Sequence, residues 1–463
     1  MQPSSRPAAT GQPESHDLAP LPDTLPVVEE RAAMPAGFRG GGLAAGIKPS
    51  GKPDLAVIAV TGGSAAVAAT FTRNQVVAAP VRLSRAHLNA TEASGAGKFG
   101  WADAIIATSG SANAATGQEG DADQAEVGRA LAAALGTKPE RTLAVSTGVI
   151  GVRLPVAKIK DGLARLIPIL APTDDALRAV AGAMMTTDTQ IKLATTTLQL
   201  PGPDRTPVTV TVSGIAKGVG MIHPRMATML SMILTDASVA PATLHALLAP
   251  IVQRTWNQIS VDGDTSTNDT VYLVASGASK ASVAPASDES LLLGRAIEAV
   301  ARSLARQQAA DGEGASTLIT CQVSGGADDH DARAIARSVV SSSLLKAAIH
   351  GRDPNWGRVA SGAGNARLPD EQCLEAAGLH HVEAAARAGR MPALDLDKLR
   401  IAIAGTLVFD GTPLPFDRAA VRQDMDAPEV LIRLHMGLGS GIGEAFGCDL
   451  TEQYVIENAE YTT

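Results

Sequence analysis

One stretch near the middle of the chain decides how the sequence is interpreted: residues 217–230 read KGVGMIHPRMATML. Gly218 and Gly220 permit a sharp bend, and an Ala-Thr bond follows at the start of an apolar run. A threonine hydroxyl that attacks the preceding carbonyl needs a bent peptide, a small residue before it and donors for the oxyanion. The stretch therefore predicts self-cleavage between Ala227 and Thr228.

Cleavage there makes Thr228 the first residue of a new chain. Its hydroxyl is then a nucleophile, and its free α-amine, with an ordinary pKa of about 7.7–8.0, can act as the base for that hydroxyl. These two groups on one residue are typical of acyl-transfer enzymes with an N-terminal nucleophile. The segment on its own is a weak signal, and its weight depends on the other motifs of the chain.

The composition points to a large α/β protein. A chain of 463 residues exceeds one typical core, so we expect two domains or one large α/β assembly. Hydrophobic residues make up 45% and aromatic residues 3%, so the core is expected to consist of Ala, Val, Ile and Leu. Such small side chains favour helices that pack closely on a sheet.

Charge, hydropathy and cysteine content exclude several classes of protein. The net charge of −8, without a basic cluster, argues against nucleic-acid binding. No apolar run approaches the roughly 20 residues of a membrane span. Cys321, Cys373 and Cys448 form no CxxC pair, which excludes a disulfide scaffold and argues against a structural zinc site. We therefore expect a soluble cytoplasmic protein without a structural zinc site.

Hydrophobic periodicity gives a coarse secondary structure. Residues 1–35, rich in Pro, Ser, Ala and acidic residues, are expected to form a disordered leader that is not a secretory signal. Strands are predicted over residues 55–60, 66–71, 76–83, 104–107, 207–215, 399–409 and 429–434. Helices are predicted over residues 175–185, 244–256, 289–308 and 332–350. The pattern indicates a mixed α/β fold with flanking helices.

Four further segments combine polar residues and glycine. Residues 145–151 place Ser-Thr-Gly between apolar residues, which suits an oxyanion site, although such a turn is common. Residues 186–189, TTDT, are explained by helix capping alone. Residues 261–270 lack the acidic spacing of a calcium loop and read as a solvated or substrate-facing loop. The glycines of residues 437–443 fit no GxGxxG register, which argues against a dinucleotide site.

Taken together, the motifs resemble the glutamate N-acetyltransferase/ornithine acetyltransferase family of arginine biosynthesis. The resemblance runs from about Gly42 to Thr463, and the order of the motifs makes it far more specific than any single one. They are FTRN at 71–74, SGSANAATG at 109–117, STGVIG at 146–151, TTDT at 186–189, the stretch 217–230, VDGDTSTNDT at 261–270, GEGA at 312–315, DPNWGR at 353–358, and the tail from GCDL at 447–450 to 463.

The resemblance implies a layered α/β sandwich made by two chains. After self-cleavage, an alpha chain of residues 36–227 would carry the oxyanion and substrate loops, and a beta chain of residues 228–463 would begin with Thr228. Two copies of each are expected to associate. In a ping-pong cycle Thr228 would take the acetyl group from N2-acetyl-L-ornithine and pass it to L-glutamate. Neither a metal nor an organic cofactor is expected; some members also accept acetyl-CoA, and the sequence leaves that open.

The resemblance also assigns roles to individual residues. Thr147 and Gly148 would form the oxyanion hole that stabilises the tetrahedral intermediate. The residues that would line the substrate pocket with the nucleophile Thr228 are Thr186, Lys217, Glu313, Asn458 and the C-terminal Thr463. An amino-acid substrate brings a carboxylate for Lys217 and an ammonium for Glu313, so both ends gain charge-assisted hydrogen bonds.

Departures from the family pattern concern substrate preference more than reaction type. Residues 108–114 read TSGSANA where the family usually has NSGNANA, so two amide side chains are missing. A paralogue that acylates another amino acid in secondary metabolism therefore stays open. Two further readings remain: an amidohydrolase or aminopeptidase that uses the same N-terminal threonine but gives the acyl group to water, and a cleaved partner protein without activity.

Overall fold

The computed structural model describes residues 18–223 and 229–460. The predicted cleavage bond between Ala227 and Thr228, the C-terminal Thr463 and residues 1–17 lie outside the described residues. The last part of the predicted leader is packed on the body of the protein: Glu29 exchanges two backbone hydrogen bonds of 2.9 Å with Thr195, and Ala32 is buried. No helix in the described part of the chain is long and apolar enough to cross a membrane.

The strands are numbered in chain order. They are β1 (Phe38–Leu43), β2 (Leu55–Val60), β3 (Ala65–Phe71), β4 (Phe99–Ala102), β5 (Ala104–Ser111), β6 (Thr142–Val149), β7 (Lys192–Pro201), β8 (Pro207–Lys217), β9 (Leu230–Thr235), β10 (Ser238–Val239), β11 (Ile259–Ser260), β12 (Thr270–Ala275), β13 (Ser282–Val283), β14 (Leu318–Gly326), β15 (Arg400–Ile403), β16 (Thr406–Asp410), β17 (Thr412–Pro413), β18 (Glu429–His435) and β19 (Gly441–Cys448).

The α-helices follow the same convention. They are α1 (Ala79–Thr91), α2 (Gly117–Leu135), α3 (Val156–Leu166), α4 (Asp174–Met184), α5 (Pro241–Arg254), α6 (Asp288–Ala310), α7 (Asp329–Val340), α8 (Ser343–His350), α9 (Trp356–Gly364), α10 (Glu371–Ala376), α11 (His381–Arg387), α12 (Arg418–Asp424) and α13 (Glu452–Ala459).

Two sheets packed face to face form the part of the molecule that holds the site. One sheet has the strand order β1-β2-β5-β6, and the other has the order β4-β3-β12-β9-β8-β7. Alternate residues of β2 explain the layering: Ala56 and Ile58 join the core between the sheets, while Leu55 and Val57 face helices α2 and α3. Because β2 is buried on both faces, its sequence is a continuous apolar run rather than an alternating one.

Helices α5 and α6 cover the opposite face of the six-stranded sheet. Their apolar side chains share one core with Ile233 of β9 and with Val271 and Leu273 of β12. Phe446 and Cys448 of β19 belong to the same core, so α6 also borders a third sheet with the order β11-β19-β14-β18-β15-β16-β17. The result is a mixed α/β sandwich of stacked layers, as the sequence predicts.

Strands from both sides of residues 227 and 228 join the six-stranded sheet. In the sequence, β8 precedes the bond between residues 227 and 228, and β9 follows it. The two strands pair antiparallel, with Lys217 opposite Leu230. On its other side β9 pairs parallel to β12, with Leu230 opposite Thr270. Because β9 lies between β8 and β12 in the sheet, its first residues lie between the end of β8 and the start of β12.

Most predicted elements are confirmed with shifted ends, and three are wrong. Residues 76–83 were expected to be a strand, but helix α1 starts at Ala79 with Pro80 in its first turn, where a missing N–H costs nothing. The helix predicted over residues 332–350 is two helices, because Ser342 caps the start of α8. Residues 399–409 form the hairpin β15–β16, and Ala404 and Gly405 at its turn have positive φ.

Leu304→Ala tests the core between α6 and the six-stranded sheet. Leu304 is fully buried in that core, so its truncation is expected to lower the free energy of unfolding by about 2–5 kcal/mol. Leu291→Ala is the matched control on the same helix, because Leu291 is 65% exposed; a change within about 0.5 kcal/mol is expected there. Urea denaturation measures both, and equal losses would contradict the layer arrangement.

Candidate active site

A cavity of about 400 Å³ opens where β6 and β8 end and where β9 and β12 begin. Segments that are far apart in the sequence contribute its walls: the end of β6, the turn after α4, the end of β8, the start of β9, the loop before β12, the turn after α6, and α13. Its principal polar lining residues are Thr147, Gly148, Thr186, Thr187, Lys217, Ser266, Thr267, Asn268, Asp269, Glu313 and Asn458. This volume suits a small polar molecule.

Lys217, the last residue of β8, donates hydrogen bonds inside this cavity. Its Nζ lies 2.8 Å from Oγ1 of Thr186 and 3.2 Å from Oγ1 of Thr147. Gln308 of α6 holds its backbone, because Nε2 of Gln308 donates to the carbonyl oxygen of Lys217 at 2.9 Å. Burial lowers the pKa of Lys217, and the Asp188 carboxylate opposes that shift by favouring the ammonium form.

A buried ion cluster, formed by Asp188, Lys192, Lys217 and Asp311, lies behind the cavity wall. Lys192 Nζ donates to Asp188 at 2.8 Å and to Asp311 at 2.6 Å, and both its partners are almost fully buried. Asp188 also accepts the backbone N–H of Gly218 at 2.8 Å, and its other oxygen lies 3.9 Å from Lys217. These contacts tie the end of β8 to the turn after α4.

The electrostatics of this cluster favour an ionised Asp188. Burial opposes ionisation of Asp188, but the charges of Lys217 and Lys192 and the hydrogen bond from Gly218 outweigh it, so the pKa of Asp188 falls from 3.8 to about 2. A carboxylate between two lysines compensates charge that would otherwise be buried without a partner. Helix capping therefore does not explain the TTDT segment at residues 186–189: the C-cap of α4 is Met185, and Asp188 belongs to the ion cluster.

The end of β6 brings Thr147 and Gly148 to the cavity. Gly148 pairs with Gly110 of the parallel neighbour β5 and has a φ of 128°, a conformation that side-chain-bearing residues rarely adopt. A Cβ at this position would lie 2.4 Å from the backbone carbon of Gly110. Asn268 fixes the same corner, because its Nδ2 donates to the carbonyl oxygen of Ser146 at 2.9 Å. Glycine is therefore needed at position 148, because the backbones of β5 and β6 approach each other closely there.

Glu313 provides a carboxylate on another wall of the cavity. Its two oxygens accept hydrogen bonds from Oγ1 of Thr187 at 2.8 Å and from Nδ2 of Asn458 at 2.9 Å. Gly220 makes room for it, because a Cβ at Gly220 would lie 2.2 Å from Glu313 Oε2. A carboxylate and the ammonium group of Lys217 therefore share one cavity of amino-acid size.

The polar loop 261–270 has two roles. Its first carboxylate, Asp262, accepts the backbone N–H of Ile222 at 2.9 Å and that of Met221 at 2.5 Å, so it orients the segment that leads towards Thr228. Its last residues, from Ser266 to Asp269, line the cavity. The sequence left open whether this loop is solvated or faces a substrate. Its last residues face the cavity.

The structure brings Thr147, Gly148, Thr186, Lys217, Glu313 and Asn458 to one cavity. Ala227, Thr228 and Thr463 lie outside the described residues, but Met229 and Leu230, which follow Thr228 in the sequence, line this cavity. The sequence did not single out Thr187, Asn268 or Asp269 as site residues. The only sequence signal for these three residues was their position within the quoted motifs. Their position at the cavity depends on tertiary contacts, which the sequence does not show.

A layered α/β fold with a concave polar site where its strands begin and end is typical of an enzyme that acts on a small molecule. The comparison with known proteins gives the family: the model of the ArgJ family matches residues 39–463, and the chain belongs to that family. ArgJ proteins are acetyltransferases of arginine biosynthesis, and the chain is an acyltransferase.

Relatives match over almost the whole chain. The arginine biosynthesis bifunctional protein ArgJ of a Synechococcus species is 43% identical over 442 residues, which cover 93% of this chain and 96% of the relative. The ArgJ protein of Thermus thermophilus is 42% identical over 430 residues, 93% of this chain and 99% of the relative. The crystal structure of ornithine acetyltransferase from Mycobacterium tuberculosis, complexed with ornithine, is 37% identical and covers 43% of this chain and 100% of that chain, with a TM-score of 0.37.

Asp188→Asn tests the buried ion cluster. Because the substitution leaves Lys192 and Lys217 undercompensated, it is expected to lower the free energy of unfolding by about 3–5 kcal/mol at neutral pH. The folded-state pKa of Asp188, about 2, lies below the ordinary 3.8, so this stabilisation is present above pH 3.8 and is lost as the pH falls towards 2.

The measurement is urea denaturation of wild type and variant at neutral pH and through that acidic window. The difference in free energy of unfolding between wild type and Asp188→Asn is expected to narrow as the pH falls. Asp161→Asn is the control, because Asp161 is exposed on α3 and its replacement removes the same charge at the surface. A gap that stays constant down to pH 2, or equal losses in the two variants, would contradict the role of Asp188.

Proposed function

We propose that the chain is a glutamate N-acetyltransferase that moves the acetyl group from N2-acetyl-L-ornithine to L-glutamate through an acetyl-Thr228 enzyme. The observation that carries this proposal is the position of Lys217, whose Nζ lies within hydrogen-bonding distance of Thr147 and Thr186 in a cavity that also contains Glu313. Membership in the ArgJ family gives the reaction class, and the arrangement of charges supports an amino acid as the substrate.

An α-amino acid fits the two charges of this cavity. Its carboxylate pairs with the ammonium group of Lys217, and a substrate ammonium pairs with Glu313, whose carboxylate Thr187 and Asn458 already orient. Thr186 adds a hydroxyl beside Lys217, and Thr463 completes the substrate contacts in this proposal. N2-acetyl-L-ornithine carries both an α-carboxylate and a δ-ammonium group, so it fits Lys217 and Glu313 at once. Glutamate shares the α-carboxylate that Lys217 binds, so the same pocket accepts donor and acceptor in turn.

The reaction begins with self-cleavage. The Thr228 hydroxyl attacks the carbonyl of Ala227, the resulting ester hydrolyses, and Thr228 becomes an N-terminal residue. In the catalytic cycle the same hydroxyl attacks the acetyl carbonyl of acetylornithine, ornithine leaves, and the glutamate amine then attacks the acetyl ester. Thr147 and Gly148 act as the oxyanion hole in both reactions; one such donor typically contributes about 2.7–4 kcal/mol of barrier reduction.

The α-amine of Thr228 is the proposed base for its own hydroxyl. The nearest histidine in the sequence, His223, is the alternative, and its contacts argue against that role. Its Nδ1 lies 3.0 Å from Oγ of Ser260, and the residue lines a different cavity, together with Arg333 and Asp370. An N-terminal amine has an ordinary pKa of about 7.7–8.0, so part of it is unprotonated near pH 7 and can accept a proton.

Further features of the proposal extend beyond the site. The products of self-cleavage, an alpha chain ending at Ala227 and a beta chain beginning at Thr228, stay associated because β8 and β9 pair within one sheet. Two copies of each chain form the assembly, and the enzyme acts in the cytoplasm. The chemistry needs neither a metal nor an organic cofactor, since the Thr228 ester carries the acetyl group; acetyl-CoA remains open as an additional donor.

Incubation with N2-acetyl-L-ornithine tests the reaction type. We expect acetylglutamate to form only when glutamate is present, with one ornithine released for each acetyl group transferred. Free acetate in place of acetylglutamate would show an amidohydrolase, and no turnover would show a partner protein without activity. Because residues 108–114 depart from the family pattern, a panel of other N-acetylated amino acids belongs in the same assay.

Thr228→Ala and Thr228→Ser are the matched variants for the nucleophile. Wild type is expected to give two bands of similar size on a denaturing gel. Thr228→Ala is expected to stay as one uncleaved, inactive band, because the hydroxyl is gone. Thr228→Ser keeps a hydroxyl and is expected to cleave slowly. Activity in Thr228→Ala, or a single full-length band in active wild-type protein, would contradict the proposal.

A further inference from the structure

One carboxyl group in the cavity has no role in the reaction described above. Asp269 is the residue just before β12, it lines the cavity, and it is 1% exposed. Among the described residues its Oδ2 has no hydrogen-bond partner. An unpaired buried carboxyl oxygen is costly for stability, so its presence at the wall of the cavity calls for an explanation beyond packing.

The surroundings of Asp269 shift its ionisation towards the carboxylic acid. Burial raises the pKa of Asp269 well above its usual range, and hydrogen bonds from Ser266 and the charge of Lys217 only partly oppose this. Lys217 itself is compensated by Asp188, which reduces its effect on Asp269. The other carboxylate lining the cavity is Glu313, on the wall formed after α6, and its oxygens are held by Thr187 and Asn458.

The position of Asp269 follows from strand pairing. Its neighbour Thr270 pairs with Leu230 in the parallel β9–β12 ladder, and the backbone N–H of Thr270 donates to the carbonyl oxygen of Met229 at 2.8 Å. Met229 is the residue that follows Thr228 in the sequence, and both Met229 and Asp269 line the cavity. Asp262 and Asp264 lie on the same loop; Asp262 is occupied by the N–H groups of Met221 and Ile222.

We propose that Asp269 is an additional catalytic residue, the acid that gives a proton to the departing amine. This inference rests on the proposed acetyl transfer through Thr228. An amine leaves a tetrahedral intermediate readily only when its nitrogen is protonated, and general acid catalysis typically contributes about 10²–10⁴-fold to the rate. A carboxyl group at the cavity wall, with one oxygen that no hydrogen bond occupies, is suited to this task.

The protons of each half-reaction balance. The Thr228 hydroxyl adds to the acetyl carbonyl and passes its proton to the Thr228 amine. When the carbon–nitrogen bond breaks, the Asp269 carboxyl gives its proton to the ornithine nitrogen, and the Thr228 ammonium then returns a proton to the Asp269 carboxylate. The second half-reaction is the reverse, with the glutamate amine in place of the ornithine amine. Asp269 and the Thr228 amine end in the states in which they began.

Two acetyl donors separate a proton donor from a structural residue. The leaving amine of N2-acetyl-L-ornithine needs a proton, whereas the phenolate that leaves p-nitrophenyl acetate needs none. Asp269→Asn is expected to acetylate Thr228 from acetylornithine about 100-fold more slowly or worse, and from p-nitrophenyl acetate at nearly the wild-type rate. Rates are taken per mole of N-terminal Thr228, measured by mass spectrometry of the denatured chains.

Asp264→Asn is the matched control, because Asp264 lies exposed on the same loop and lines no part of the cavity; both donors are expected to react at wild-type rates. Equal losses with both donors in Asp269→Asn would overturn the assignment while leaving the proposed function intact. Failure of wild-type Thr228 to take an acetyl group from acetylornithine would instead refute the proposed function.

Asp269→Glu decides the outcome if Asp269→Asn does not process itself, since breaking the Ala227–Thr228 bond also releases an amine. Asp269→Glu keeps the acid. If Asp269→Glu cleaves itself and transfers the acetyl group from acetylornithine, the assignment is supported. If Asp269→Glu has the same Tm as wild type but neither cleaves nor transfers, the assignment is overturned.

Discussion

The buried ion cluster of Asp188, Lys192, Lys217 and Asp311 is the interaction on which the site depends. A lysine inside a protein is costly unless a carboxylate compensates it, and here the compensating carboxylate also binds the backbone of Gly218. One group thus neutralises buried charge and fixes the bend after β8. The cluster joins the turn after α4 to the end of β8, two segments that supply Thr186 and Lys217 to the cavity.

The layered fold explains why so many separate segments reach one cavity. In the two packed sheets, β6 and β8 end and β9 and β12 begin at the same place, so these strands and the loop before β12 all contribute residues to the cavity. Close backbone contacts set the details: Gly148 lies against Gly110, and Gly220 lies against the carboxylate of Glu313. Packing requires small residues at these positions, and this requirement explains why the sequence motifs are rich in glycine.

Periodicity predicted the α/β class and most elements, because runs such as Leu55–Val60 are buried on both faces and helices such as α6 keep a regular apolar stripe. It failed over residues 76–83, where Ala, Val and Pro suit a strand or a first helical turn and only the later Leu88 shows the helical spacing. The predicted site residues came from motif resemblance. Neither approach indicated the burial of Asp188 or Asp269, because burial depends on contacts between distant segments.

The central claim is that an acetyl group resides on Thr228 during the reaction. Mass spectrometry of the denatured enzyme after incubation with N2-acetyl-L-ornithine, in the absence of glutamate, tests it most directly. One added acetyl group is expected on the N-terminal peptide of the chain that begins at Thr228. It is expected to be lost, with formation of acetylglutamate, once glutamate is added. An enzyme that turns over acetylornithine and glutamate while Thr228 stays unmodified would contradict it.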